Sequence, residues 1–231
     1  MKRFYKQVEA KSVEGGWHIA LDGRMVRTPA RAPLLLPTAV LADAVAAEWD
    51  AQGDELDPLT MTATGFANAA IDQVEPNKVS FAANIARYAE TDLLCYRADG
   101  PETLVRRQAV EWDPWLEFAR RRYDVAFRTT SGIVHVAQPA EALARLAQAV
   151  SAYDVFILAP LSTLVTLSGS LILGLAIVDA NADPDIIWRA AELDAIWQAE
   201  LWGEDAQAQA QAAAHRREFD AAVTFCRMAQ D

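Results

Sequence analysis

Trp17-His18-Ile19-Ala20-Leu21-Asp22-Gly23-Arg24-Met25-Val26-Arg27-Thr28 is the stretch that decides how the chain begins. Residues 17–21 alternate in polarity as a half-buried strand does. Asp22-Gly23 then supplies two residues that tolerate the positive φ of a tight hairpin, and 24–28 returns as the next strand. Upstream, 6–10 leads into a second turn at Gly15-Gly16, which makes the whole an antiparallel meander. Downstream, Pro29, Pro33 and Pro37 confine Leu34-Leu35-Leu36 to a sheet edge or a strand end, because proline offers no N–H to a ladder.

Helical signals take over at Thr38, an N-cap residue, and the first helix runs to about Gln52, with Gly53 placed to stop it. Leu41, Val45 and Trp49 fall four apart on its buried stripe. Further helices are expected over 61–74, 78–91, 101–123, 139–153, 184–202 and 205–228, with Asp113-Pro114 a kink or restart inside the third of this series. Residues 125–136 read as β-like around Ser131-Gly132. The fold class is therefore α+β: a β-rich N-terminal domain over 1–76, with helices, and a mostly helical C-terminal domain over 77–231, divided near Pro76.

The uncharged run 155–178 is long enough to span a bilayer. Its serines and threonines, Pro160, and the flanking Asp154 and Asp179 argue instead for a buried central helix, since a spanning segment carries basic or aromatic anchors at its ends. With 231 residues, 52% of them hydrophobic, the chain has enough apolar surface for a packed core. Its net charge of −11 and pI of about 4.7 oppose binding to nucleic-acid phosphates or anionic lipid, and suit a basic protein client. Cys95 and Cys226 are isolated thiols in no paired motif, as expected in a reducing compartment. The start, Met1-Lys2-Arg3-Phe4-Tyr5-Lys6, has no apolar stretch after it, so no signal or transit peptide is read and a bacterial cytoplasmic location is expected.

Chemistry is sparse. No glycine pattern cradles phosphate, and His18, His135 and His215 form no metal signature, so neither a cofactor nor a metal is expected. Ser168-Gly169-Ser170 lacks the frame of a nucleophile elbow and reads as small-residue packing within the apolar helix. No catalytic residue is assigned. Over 184–202, Ile186, Ala190, Leu193, Trp197 and Leu201 define one helix face; Asp194 falls inside that stripe and Glu200 on its edge. A carboxylate in such a place is paired, capped or kept for a client. Glu204 and Asp205 complement the start of the last helix, and Glu48 and Asp50 are expected to be solvated.

The ordered words Arg3-Phe4-Tyr5-Lys6, Leu21-Asp22-Gly23-Arg24, Glu48-Trp49-Asp50-Ala51-Gln52, Asp92-Leu93-Leu94-Cys95-Tyr96-Arg97, Trp112-Asp113-Pro114 and Trp202-Gly203-Glu204-Asp205 resemble the assembly chaperones that hold the alpha subunit of F-type ATP synthase. The resemblance covers almost the whole chain. It implies a β-rich domain followed by a helical one, no cofactor, no catalysis, and a transient complex with the unassembled alpha subunit that ends when the beta subunit replaces the chaperone. It also implies client contact at Asp194, Glu200, Trp202, Glu204 and Asp205, with Trp49 and Trp197 serving packing; a monomer is the expected state, without membrane insertion.

Two positions depart from that pattern: Thr62 stands where relatives often carry proline, and Ala195 where a glutamate is expected beside Asp194. The competing readings are a small hydrolase or lyase built on Asp194 and Glu200, and a membrane-associated assembly factor.

Overall fold

The computed structural model describes residues 1–203 and 205–231. Strands β1 (Val8–Val13), β2 (Gly16–Leu21), β3 (Arg24–Met25) and β4 (Leu35–Leu36) come first, then helices α1 (Ala39–Asp50), α2 (Thr62–Ala69) and α3 (Lys78–Ala86). The short β5 (Tyr96–Arg97) precedes α4 (Glu102–Tyr123), β6 (Thr130–Ser131) and α5 (Ala140–Ser151). Helices α6 (Val155–Ser168), α7 (Leu171–Ala180), α8 (Pro184–Ala191), α9 (Leu193–Trp202) and α10 (Ala206–Gln230) complete an α+β chain with a small N-terminal antiparallel sheet. Two compact units result. The first holds Met1–Lys78, Asp154–Pro160 and Ala221–Asp231, and the second Val79–Tyr153 and Leu161–Asp220.

In the first unit β1 and β2 pair from Val8↔Leu21 to Val13↔Gly16, and β2 also carries β3 and β4. The Asp22-Gly23 turn has the positive φ values, 48° and 78°, that its residues permit. Ile19, Leu34, Leu36, Leu41 and Val45 bury beneath the sheet and α1, joined by Phe225 of α10, whose ring lies 5.3 Å from that of Phe66. Gly16 sits at φ +146°, where an added Cβ would run into the Leu36 backbone oxygen. Gly16→Ala is therefore expected to destabilise the chain by about 2 kcal/mol or more, read by urea denaturation; a loss under about 0.5 kcal/mol would show that β4 can shift to make room.

Several of the sequence words become fasteners of this unit. Arg3 donates to the carbonyl oxygens of Asp50 and Gln52 and pairs with the Asp50 carboxylate, while the Tyr5 hydroxyl donates to the Trp49 carbonyl at 2.6 Å. Glu48 is not free in solvent. Its carboxylate accepts from the Ala63 and Thr64 N–H groups, at 2.7 and 2.8 Å, and so satisfies two of the orphan donors at the start of α2. Gln52, buried, accepts from the Asp57 N–H and donates to Thr60. Asp72 accepts from the Thr28 hydroxyl and the Ala30 N–H.

In the second unit α7 is buried all round, from Leu171 through Val178. Gly174 permits its close approach to the neighbouring helix, since a Cβ there would lie 2.7 Å from a Val165 methyl. The apolar run expected as one helix is two. Gly169, at φ +66°, follows the end of α6, and the Ser170 hydroxyl caps α7 by accepting from the Leu173 N–H at 3.1 Å. No described helix is long and apolar enough to cross a membrane. The β-like reading of 125–136 shrinks to the two residues of β6, parallel to β5. Helix α4 passes through Pro114 without restarting.

Candidate functional site

Helix α4 is the support on which the C-terminal acidic region is arranged. Trp112, fully buried, donates its indole N–H to the Ala190 carbonyl near the end of α8, at 2.8 Å. Gln108, also buried, accepts from the Ala98 N–H and donates to Asp194 Oδ1, both at 2.8 Å. Arg107 pairs with Glu200 at 2.7 Å, and Glu111 with Arg189 at 3.1 Å. On the opposite flank Arg97 pairs with Asp113, donates to the Leu94 carbonyl and lies over the Trp112 ring. One turn and a half of α4 thus reaches residues of α8 and α9.

The continuous helix expected over 184–202 breaks at Glu192, whose φ and ψ of −92° and 8° leave the helical region. That break shifts the phase of the buried stripe. Ala190 and Leu193 remain buried, but Ile186 and Leu201 are exposed, and Asp194 lies at the surface rather than inside the stripe. Glu200 is half exposed. Trp202, 82% exposed, and Leu201, 55% exposed, put a large apolar surface at the end of α9, next to Glu200 in the sequence. Asp205 is exposed and caps α10 through the Gln207 N–H at 3.1 Å. Glu204 lies outside the described residues. Trp197 is half buried.

Trp49 is half buried and packs edge-on to Tyr5, ring centroids 5.7 Å apart. Its Nε1–H finds no acceptor among the described residues.

The carboxylates proposed for hydrolase chemistry do not share a proton or a partner: Asp194 is taken by Gln108, Glu200 by Arg107. Burial pushes the thiols of Cys95 and Cys226 up to about 12, far from a reactive thiolate. Ser168 Oγ donates to the Ser170 carbonyl and Ser170 Oγ caps α7, so both hydroxyls serve the helix junction. Among the described residues no group of three histidine, cysteine or acidic side chains could hold a metal ion.

Two acids, one buried and one partly buried, escaped sequence reasoning. Asp92, fully buried, accepts from the Leu94 N–H and the Ile172 N–H, each at 3.1 Å, and burial pushes its carboxyl up to about 6. Asp179 collects the Tyr123 and Tyr153 hydroxyls at 2.9 and 2.6 Å and the Arg122 guanidinium. An Asp one residue ahead of an apolar helical turn is a cap signal that marks the first; nothing local marks the second.

The C-terminal region has an exposed indole and leucine at the end of a helix fastened by α4, and the protein is a chaperone by class. It belongs to the ATP12 chaperone family, chaperones of ATP synthase assembly, and residues 2–120 match the family described as ATP12 chaperone protein. The chain is similar to Atp12 of Paracoccus denitrificans, at 42% identity and a TM-score of 0.95, covering 99% of this chain and 98% of that one. It is equally similar to a variant of the Paracoccus denitrificans Atp12p with one aspartate changed to lysine: 41% identity, TM-score 0.96, 99% and 97% covered. A protein of Agrobacterium tumefaciens is 40% identical with a TM-score of 0.92, over 98% of this chain and 85% of that one.

Proposed function

We propose that this chaperone binds the unassembled alpha subunit of ATP synthase and keeps it from aggregating until the beta subunit takes its place. It acts as a monomer in the bacterial cytoplasm. The observation that carries the reading is the exposed Leu201-Trp202 pair at the end of α9, with Glu200 and Asp205 beside it in sequence and Asp194 at the start of the same helix. An apolar anchor surrounded by charge is the composition of an energetic centre in a protein interface, and an acidic rim selects a basic counterpart. Because Gln108 and Arg107 already hold Asp194 and Glu200, little side-chain freedom is lost when the client arrives. The proposed contact is compact enough to be displaced by a partner with a larger interface.

The test is light scattering of separately expressed alpha subunit, with beta subunit as the control client. Alpha should be protected and beta not. Combining Glu200→Lys with Trp202→Ser should weaken protection of alpha at least tenfold while the melting temperature moves by less than about 3 °C, since both side chains are exposed and an exposed ion pair contributes under about 1 kcal/mol. Unchanged protection by that double variant would remove α9 from the client surface; equal protection of alpha and beta would make the protein a general holdase.

A further inference from the structure

The first unit carries a feature that the C-terminal contact region does not use. Phe4, Tyr5, Met25 and Trp49 line an open cleft of about 650 Å³, with Arg24 and Arg27 on its border. Phe4 is 65% exposed and Met25 43%, so the cleft shows solvent an aromatic ring and a flexible thioether, side chains that adapt to an inserted apolar group. Its charge is opposite to that of the chain as a whole. Residues 1–31 carry seven lysines and arginines against three carboxylates, in a chain of net charge −11.

Arg3 and Lys11 spend their charge on Asp50 and Glu9, but the two arginines at the cleft do not. Arg24 and Arg27 are exposed and have no ion-pair partner among the described residues; Arg27 reaches only the Arg31 carbonyl. The carboxylate in the lining, Asp22, already accepts from the Lys6 and Gln7 N–H groups, which hold its pKa below the usual range.

We infer that this cleft is a second docking site, for an extended polypeptide segment that carries a large apolar side chain flanked by carboxylates. The apolar side chain fills the space between Phe4, Met25 and Trp49, and the carboxylates meet Arg24 and Arg27. A short acidic segment fits the charge distribution better than a nucleic acid or an anionic membrane. Its charges stay within about a Debye length, roughly 8 Å, of the arginines, whereas an extended polyanion also meets the strongly acidic remainder of the surface. The inference rests on the chaperone reading only in taking a polypeptide as occupant.

The experiment is fluorescence anisotropy of the full chain with labelled synthetic peptides and no alpha subunit, so its failure and the failure of the alpha-subunit reading are separable. The probes are a peptide with a Leu-Phe centre flanked by aspartates and glutamates, the same centre flanked by lysines, and the acidic peptide with Leu-Phe replaced by serines. The first should bind at least tenfold more tightly than either other and weaken as salt rises. Arg24→Glu with Arg27→Glu should abolish that preference, and Phe4→Ser alone should weaken binding several-fold; these positions are exposed, so the melting temperature should hold. Equal binding of all three peptides, indifference to both variants, or displacement of the acidic peptide by an equally charged single-stranded oligonucleotide or by phosphatidylserine vesicles at lower concentration would each overturn the inference.

Discussion

Asp92→Ala is expected to lower stability by about 3 kcal/mol at pH 7.5 and by about 1 kcal/mol more at pH 5. The first number follows from geometry. The Asp92 carboxylate accepts from the Leu94 N–H in one turn and from the Ile172 N–H in the first turn of α7, and both bonds are buried. Alanine orphans two buried donors at roughly 1–3 kcal/mol each, offset in part by relief of a buried charge.

The second number follows from titration. Burial raises the Asp92 carboxyl to about 6, above its value in the unfolded chain. The folded state therefore holds the proton more tightly, and the stabilisation from protonation is full below about pH 4 and lost as pH rises through about 6. The wild type gains stability between pH 7.5 and 5 from this group, and the alanine variant does not. Urea denaturation of both proteins at the two pH values measures the gap. A gap that narrows at pH 5 would mean that the donors facing Asp92 hold it ionised against its burial.

The same group shows which parts of the fold could be read in advance. The Asp22-Gly23 hairpin, the Thr38 cap and the long helix from Glu102 were legible because each rests on local chemistry: positive φ, a side-chain acceptor, an apolar period. The break at Gly169-Ser170 carried a signal too, glycine then serine, but the surrounding apolar residues masked it: every position of α7 from Leu171 to Val178 is buried, so there is no period to lose phase. The break at Glu192 had no glycine or proline to announce it, and it moved Asp194 from an expected buried stripe to the surface. The words shared with the family were visible as words, yet their work was not. Glu48 looked solvated because its partners, the N–H groups of Ala63 and Thr64, lie beyond an intervening turn that brings them back. The long-range partners of Gln108, Arg107 and Asp179 were beyond reach for the same reason, since a side-chain contact across 50 to 100 residues leaves no periodic trace.

Trp112→Ala is expected to have the largest effect of any single truncation in the second unit, about 4 kcal/mol. The indole is fully buried, so its removal opens a cavity and strips a large apolar surface, and the Ala190 carbonyl loses its donor. Trp112→Phe separates the two contributions, because it keeps most of the volume and removes only the N–H; it should cost about 1–2 kcal/mol. The melting temperature should fall by about 10 °C for alanine and by about 4 °C for phenylalanine.

The consequence reaches α9. Ala190 lies three residues before Leu193, so loss of the Trp112 bond removes the fastening nearest the junction and leaves α9 held by Leu193, Gln108 and Arg107. Native-state hydrogen exchange should then show the amides of α8 and α9 opening at lower free energy than those of α7 in the phenylalanine variant, though its fold is intact. If α7, α8 and α9 lose protection together and equally, the helices form one cooperative unit and Trp112 acts on the whole core. If only α8 and α9 loosen, Trp112 acts locally, setting how rigidly the exposed Leu201-Trp202 surface is presented.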